Sequence, residues 1–305
     1  MSAFAEKPQL TRLPGGPVSQ TRRWVADVSE LCKVRITLMV LVTTLVGFLF
    51  GWHGPVDLLY LFHTLAGTAL AASGAAALNQ VFEVELDARM RRTRNRPLPG
   101  HRMTLDEGLI IGILCSAGGI LWLSIATNIY AGLLSAVTVV VYVFVYTPLK
   151  RVTTLNTIVG AIPGALPPVI GWTAARGEPG FESWILFAIL FLWQMPHFLS
   201  ISWLYREDYK QAGFVMLASF DPECRVTGRQ SLLYTMGLLS VSFLPAMLNL
   251  TSLWYLPVAV AMGGYFLWMS FRFAIAGTDQ AAKRLFVASI IYLPVTLGAL
   301  AFARL

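Results

Sequence analysis

The residues best suited to chemistry are concentrated at positions 79–100, N-Q-V-F-E-V-E-L-D-A-R-M-R-R-T-R-N-R-P-L-P-G. Asn79, Glu83 and Asp87 recur at every fourth position, and on a helix that spacing puts the three side chains on one face. Three oxygen donors in a row can hold a hard cation such as Mg2+. Arg89, Arg91, Arg92, Arg94 and Arg96 follow at once, and guanidinium groups bind phosphate oxygens bidentately. The stretch therefore reads as a metal–diphosphate site, with Asn79, Glu83 and Asp87 on the metal and Arg92 and Arg96 on the diphosphate. A solvated interfacial helix whose acids and bases pair with one another explains the arginines equally well. It does not explain an acidic row at the end of an apolar helix.

A second polar stretch reads H-F-L-S-I-S-W-L-Y-R-E-D-Y-K-Q-A-G-F, from His197 to Phe214. Tyr205 and Tyr209 lie four apart, with Asp208 on the adjacent turn. Tyr205 and Asp208 join the candidate catalytic set and Lys210 the diphosphate set; an interfacial Trp/Tyr belt is the competing reading of the aromatics. Lys150 and Arg151 follow Y-T-P-L, as further diphosphate cations or as topology-setting charge. His197 lies about two helical turns inside an apolar span. An ionisable group at that depth is a functional candidate, and neutral imidazole can ligate iron. A hydrogen-bonded packing residue is the alternative.

The elements that must position these groups are membrane helices. The 305 residues are 56% hydrophobic and 13% charged, more apolar than a soluble domain of this size requires. Nine apolar runs reach bilayer-spanning length, at about 35–53, 57–80, 108–126, 129–147, 155–173, 183–203, 231–248, 252–271 and 284–303. Gly160, Pro163, Gly164, Pro167 and Pro168 should kink the fifth. Of 23 Lys and Arg residues, all but Arg176 and Arg304 fall on one side. That puts the N-terminus in the cytoplasm and the C-terminus outside. The net charge of +7 thus reflects topology and gives no reason to expect nucleic acid. Residues 1–30 lack the apolar core of a secretory signal and read as a mostly disordered cytoplasmic tail before the membrane domain at 31–305. Three cysteines, Cys32, Cys115 and Cys224, show no disulfide pattern. The long loops after spans 2 and 6 hint at two four-helix repeats and a ninth span.

Together these motifs resemble the intramembrane aromatic prenyltransferases of the UbiA type. D-A-R-M-x-R-T-x-x-R-P-L-P, Y-T-P-L-K-R-x-T-x-x-N-T, G-A-I-P-G-A-x-P-P-x-I-G-W and W-Q-x-P-H-F-x-x-x-x-W-x-Y-R-x-D-Y are similar to the branch that farnesylates protohaem IX, the haem O synthases. The resemblance covers about residues 30–305. It implies nine transmembrane helices around a central cavity with a cytoplasmic polar cap, in a bacterial inner membrane. It implies farnesyl diphosphate and haem b as substrates, Mg2+ as cofactor and His197 as a haem-holding residue. It further implies haem A synthase or terminal oxidase assembly factors as partners. Two departures stand out. Glu83 replaces a common Asp, and Tyr205 and Tyr209 stand where the broad family often has Asp, which weakens a second acidic metal site. A prenyltransferase of another aromatic acceptor, such as a quinone precursor, stays open, as does a multi-pass transporter.

Overall fold

The computed structural model of the protein describes residues 17–304. Nine helices among them are long and apolar enough to cross a membrane. In chain order, spans 1 to 9 are Val34–Gly51, Leu58–Arg89, Leu105–Ala126, Ile129–Leu149, Asn156–Arg176, Phe181–Leu204, Arg225–Met247, Tyr255–Ala276 and Asp279–Ala303. The fold is all-α; the β contact among the described residues is an isolated bridge between Thr251 and Arg304.

Local chemistry explains where the spans start. Asp57 accepts hydrogen bonds from the Leu59 and Tyr60 amides at 2.9 and 3.0 Å, capping span 2. Thr104 and Glu107 form a capping box at span 3. Asn128 accepts from the Ala131 amide and starts span 4, after a turn of two residues. Span 5 breaks at Leu166 into Asn156–Ala165 and Pro167–Arg176, because Pro167 and Pro168 offer no N–H to the preceding turn. Span 4 contains one π-helical segment, Val141–Tyr146, a feature frequent at functional sites.

Small residues let the spans approach. Span 2 lies along span 3 through Gly67, Gly74, Gly112 and Gly119. A Cβ on Gly112 would stand 2.7 Å from the Leu78 side chain. Close backbone approach replaces the hydrophobic drive that lipid does not supply. The largest apolar core joins spans 6, 8 and 9 around Phe266, Tyr255 and Tyr292, all fully buried. Large apolar side chains point outward, Ile125 at 83% and Phe302 at 86% exposure, as a lipid-facing surface requires.

One end of the bundle carries a polar cap. The composition of residues 1–30 gave no reason to expect structure there, yet Pro17–Leu31 is helical; residues 1–16 lie outside the described residues. Leu31 packs with Ala77, Leu98 and Met103, and Arg102 reaches Asp27 at 2.7 Å and Glu30 at 2.5 Å. These long-range contacts order a segment that has no apolar run of its own. After span 6 the chain turns at Tyr205 into the short helix Arg206–Ala212. Leu86 and Met90 from the end of span 2 pack with Ala212, Phe214 and Met216, so the two long loops close on each other.

Candidate functional site

Span 2 continues as helix to Arg89, well past the apolar run that ends near Leu78. Asn79, Glu83 and Asp87 therefore stand on one continuous face. All three are buried, at 1%, 4% and 2% exposure. Each meets a cation from a different part of the chain. Lys33 Nζ donates to Asn79 Oδ1 at 2.7 Å. Lys150 Nζ lies 2.7 Å from Glu83 Oε1, and Arg96 Nη1 lies 2.6 Å from Asp87 Oδ2.

The row is held in register by its neighbours. Asn79 Nδ2 donates to Thr147 Oγ1 at 3.1 Å, and Thr147 donates to the Tyr142 carbonyl at 2.8 Å inside the π-helical segment. This fixes the amide so that its oxygen faces Lys33. Thr93 Oγ1 donates to the Asp87 carbonyl and ties the loop carrying Arg96 back to the helix end. Lys150 sits over the Tyr146 ring at 4.4 Å and near Phe214 at 5.9 Å. Burial opposes its charge, but Tyr146 and Glu83 outweigh that and hold the ammonium above its ordinary range. Lys33 goes the other way. Burial, with Arg96 and Lys150 beside it, pushes it down to about 7.

Two carboxylates thus face three cationic side chains. Among the described residues no three His, Cys, Asp or Glu side chains gather as a metal site; the row offers two carboxylates and one amide oxygen. That donor set still fits Mg2+, which takes only one or two carboxylates and completes its shell with water and phosphate oxygens. Glu83 Oε1 is buried and engaged by the Lys150 ammonium at 2.7 Å, so a bound Mg2+ would share that oxygen with Lys150.

The remaining candidates are less centrally placed. Arg92 lies over the Tyr205 ring at 5.5 Å, which joins the first loop to the second at an exposed edge. Arg151 is exposed and donates to the Phe82 carbonyl at 3.1 Å. Lys210 is exposed, and Asp208 is half-buried with no polar partner among the described residues. Arg206 turns away to Asp279 at 2.8 Å and lies over Trp203. The second loop therefore adds no acidic row opposite the first. It contributes Phe214 and a backbone bond from the Val215 amide to the Lys150 carbonyl at 2.7 Å.

His197 forms a separate constellation. Its ring is stacked between Trp193 and Phe286, at centroid distances of 5.0 and 5.2 Å. Its Nδ1 lies 2.7 Å from Ser289 Oγ. The Ser289 hydroxyl has one proton and points it at the Phe286 carbonyl, 2.5 Å away. It must then accept from His197, so Nδ1 carries the proton and Nε2 keeps its lone pair. Trp193 Nε1 donates to the Ser289 carbonyl at 2.8 Å, locking the arrangement.

Comparison with known proteins identifies the family of the chain. The model of the UbiA prenyltransferase family matches residues 40–293. The chain belongs to the UbiA prenyltransferase family. It is 45% identical to a protein of Solibacter usitatus named protoheme IX farnesyltransferase, covering 91% of this chain and 98% of that one. It is 40% identical to a protein of Koribacter versatilis with the same name, covering 91% and 93%. A solved UbiA homologue from Archaeoglobus fulgidus, bound to GPP and Mg2+, superposes with a TM-score of 0.65 at 16% identity, over 90% of this chain and 99% of that one. At that identity the likeness shows the fold. In this UbiA family member the structure brings together the Asn79–Asp87 row, Arg96 and Lys150, all candidates from the sequence, and adds Lys33 and Thr147, which the sequence does not single out. In sequence Lys33 is one of the one-sided cations that set topology and carries no further signal. Thr147 carries no signal unless the position of the π-helical segment is known.

Proposed function

We propose that this protein transfers the farnesyl group of farnesyl diphosphate to a vinyl group of haem b, giving haem O and diphosphate. The observation that carries this reading is the buried row of Asn79, Glu83 and Asp87, each facing a cation. The names of the relatives at 40–45% identity support the acceptor.

The diphosphate sits at the polar cap with the farnesyl tail in the apolar interior below. Lys150 and Arg96 neutralise the charge that grows on the leaving group, with Arg92, Arg151 and Lys210 nearer the rim. Preorganised cations at a developing negative charge are usually the largest single contribution to such a rate. Asn79, Glu83 and Asp87 would hold Mg2+, which supplies further charge neutralisation to the diphosphate oxygens when bound. The allylic C–O bond breaks and its electron pair leaves with diphosphate. Apolar surroundings keep water from the farnesyl cation, and aromatic faces stabilise it. The vinyl π electrons form the new C–C bond. Water then adds at the carbon beside the porphyrin and loses a proton, giving the hydroxyethylfarnesyl chain.

His197 is the haem-holding residue in this reading. The Nδ1–H tautomer fixed by Ser289 leaves Nε2 free for iron, and a ligating imidazole is ordinarily oriented by a partner on its other nitrogen. Tyr205 and Asp208 are at most rim contributors, since neither reaches the buried row. The protein is placed in a bacterial inner membrane with its polar cap and N-terminus in the cytoplasm and its C-terminus on the outer side, which the one-sided distribution of Lys and Arg supports. The deciding experiment incubates the purified protein with haem b and farnesyl diphosphate and analyses the pigment by mass. Haem O with equimolar diphosphate is expected. Prenylation of a phenolic acid with haem untouched would move the protein to another acceptor class.

A further inference from the structure

The N-terminal helix and the buried row are joined through Lys33. Lys33 follows that helix directly and stands in the left-handed backbone region, φ 48° and ψ 49°. Glycine would sit there without strain, whereas any L side chain is disfavoured. A non-glycine residue kept in such a conformation is a pointer to something its side chain does. Here the side chain crosses to the start of the buried row and donates to Asn79 Oδ1 at 2.7 Å, close enough to Arg96 and Lys150 to feel their charge.

The backbone around Lys33 is clamped from both sides. Gln80, fully buried and one residue after Asn79, donates to the Leu31 carbonyl at 2.7 Å and the Glu30 carbonyl at 3.2 Å. Those carbonyls end the helix Pro17–Leu31. Arg102 binds Asp27 and Glu30 on the same helix and also the Asn95 carbonyl of the first loop. Thr37 Oγ1 donates to the Cys32 carbonyl at 3.1 Å, bracing the turn from span 1. The same row helix thus grips both the turn and the ammonium that the turn delivers.

We propose that Lys33 is a further diphosphate-binding residue, and that docking of the N-terminal helix through Arg102 and Gln80 positions its ammonium in the pocket. This rests on the diphosphate reading of the row. Lys33 would release Asn79 Oδ1 and turn to a diphosphate oxygen when the substrate arrives, with Lys150 and Arg96 on the other oxygens. Arg102, about 40% exposed, touches no substrate and acts only by holding the helix.

The test measures inorganic pyrophosphate and haem b affinity separately on the purified full-length protein, with Lys33→Met, Lys33→Arg, Arg102→Gln and Lys150→Met. Charge-assisted bonds to phosphate are the strong ones, so Lys33→Met is expected to weaken pyrophosphate binding by about tenfold or more. Lys33→Arg should retain most of it, and Arg102→Gln should weaken it several-fold, with haem affinity unchanged in all three. Wild-type pyrophosphate affinity in Lys33→Met, alongside a clear loss in Lys150→Met, would overturn the proposal and leave the diphosphate reading standing. Parallel loss of haem and pyrophosphate in Lys33→Met would also overturn it, as general damage. If Lys150→Met binds pyrophosphate normally too, the diphosphate reading itself fails and this inference falls with it.

Discussion

Asp87→Asn separates the chemical role of the row from its structural role. The carboxylate is 2% exposed and 2.6 Å from Arg96 Nη1. Asn keeps the size and can still offer one oxygen to Arg96, so a hydrogen bond survives while the charge is lost. Arg96 is then left charged without its carboxylate, a loss of about 3–5 kcal/mol for a fully buried pair and less here, because Arg96 is 20% exposed. Domains have about 5–15 kcal/mol in hand, and the variant should fold. Catalysis loses too. Deleting one electrostatic contributor at a developing charge costs about 2.7–4 kcal/mol, or 10²–10³ in turnover. The assay is haem O formation by purified protein across a Mg2+ titration, with thermal unfolding run in parallel. The expected result is turnover reduced by about a hundredfold or more, a Mg2+ requirement shifted to higher concentration and a melting temperature lowered by several degrees with the protein still folded. Near-normal turnover with an unchanged Mg2+ dependence would refute the assignment of the row.

Two further outcomes check other parts of the structure. Ser289→Ala removes the acceptor for the His197 Nδ1 proton and frees the ring to change tautomer; the expected sign is a shifted haem absorption band with affinity reduced less than in His197→Ala, and an unchanged spectrum would end Ser289's positioning role. Gly119→Leu forces a side chain onto the Ala71 and Gly67 backbone of span 2. Overpacking of that kind costs about 1–3 kcal/mol, so detergent-solubilised protein should melt several degrees lower, while Gly118→Leu, which meets no neighbour within 4 Å, should not.

Much of this was legible because membranes restrict the alternatives. Nine apolar runs became nine spans since hydrocarbon leaves the backbone no partner but itself, and the fifth broke where Pro167 and Pro168 stand. Four-residue spacing carried Asn79, Glu83 and Asp87 onto one face because the helix continues through the polar stretch. Contacts between distant segments left no such trace. Arg206 looks in sequence like a counterpart of the first loop's arginines, yet it serves Asp279, 73 residues on. The tautomer of His197 depends on Ser289, 92 residues on. The helix at Pro17–Leu31 owes its place to Arg102 and Gln80, and polar composition conceals it.

Charge balance in the pocket supports the proposed anionic ligand. Lys33, Arg96 and Lys150 come from before span 1, after span 2 and after span 4, so only the folded bundle assembles them. A purely structural network would match the charges, since a surplus of one sign away from water is costly. Here two carboxylates meet three basic side chains, and the one least held as a cation is Lys33, which burial, and then Arg96 and Lys150, push down to about 7, so that near neutral pH it is charged only in part. A polyanion entering this pocket would reverse that shift and relieve the repulsion between the cations. In the proposed function a diphosphate would take up the charge of the basic groups that Glu83 and Asp87 leave unmatched.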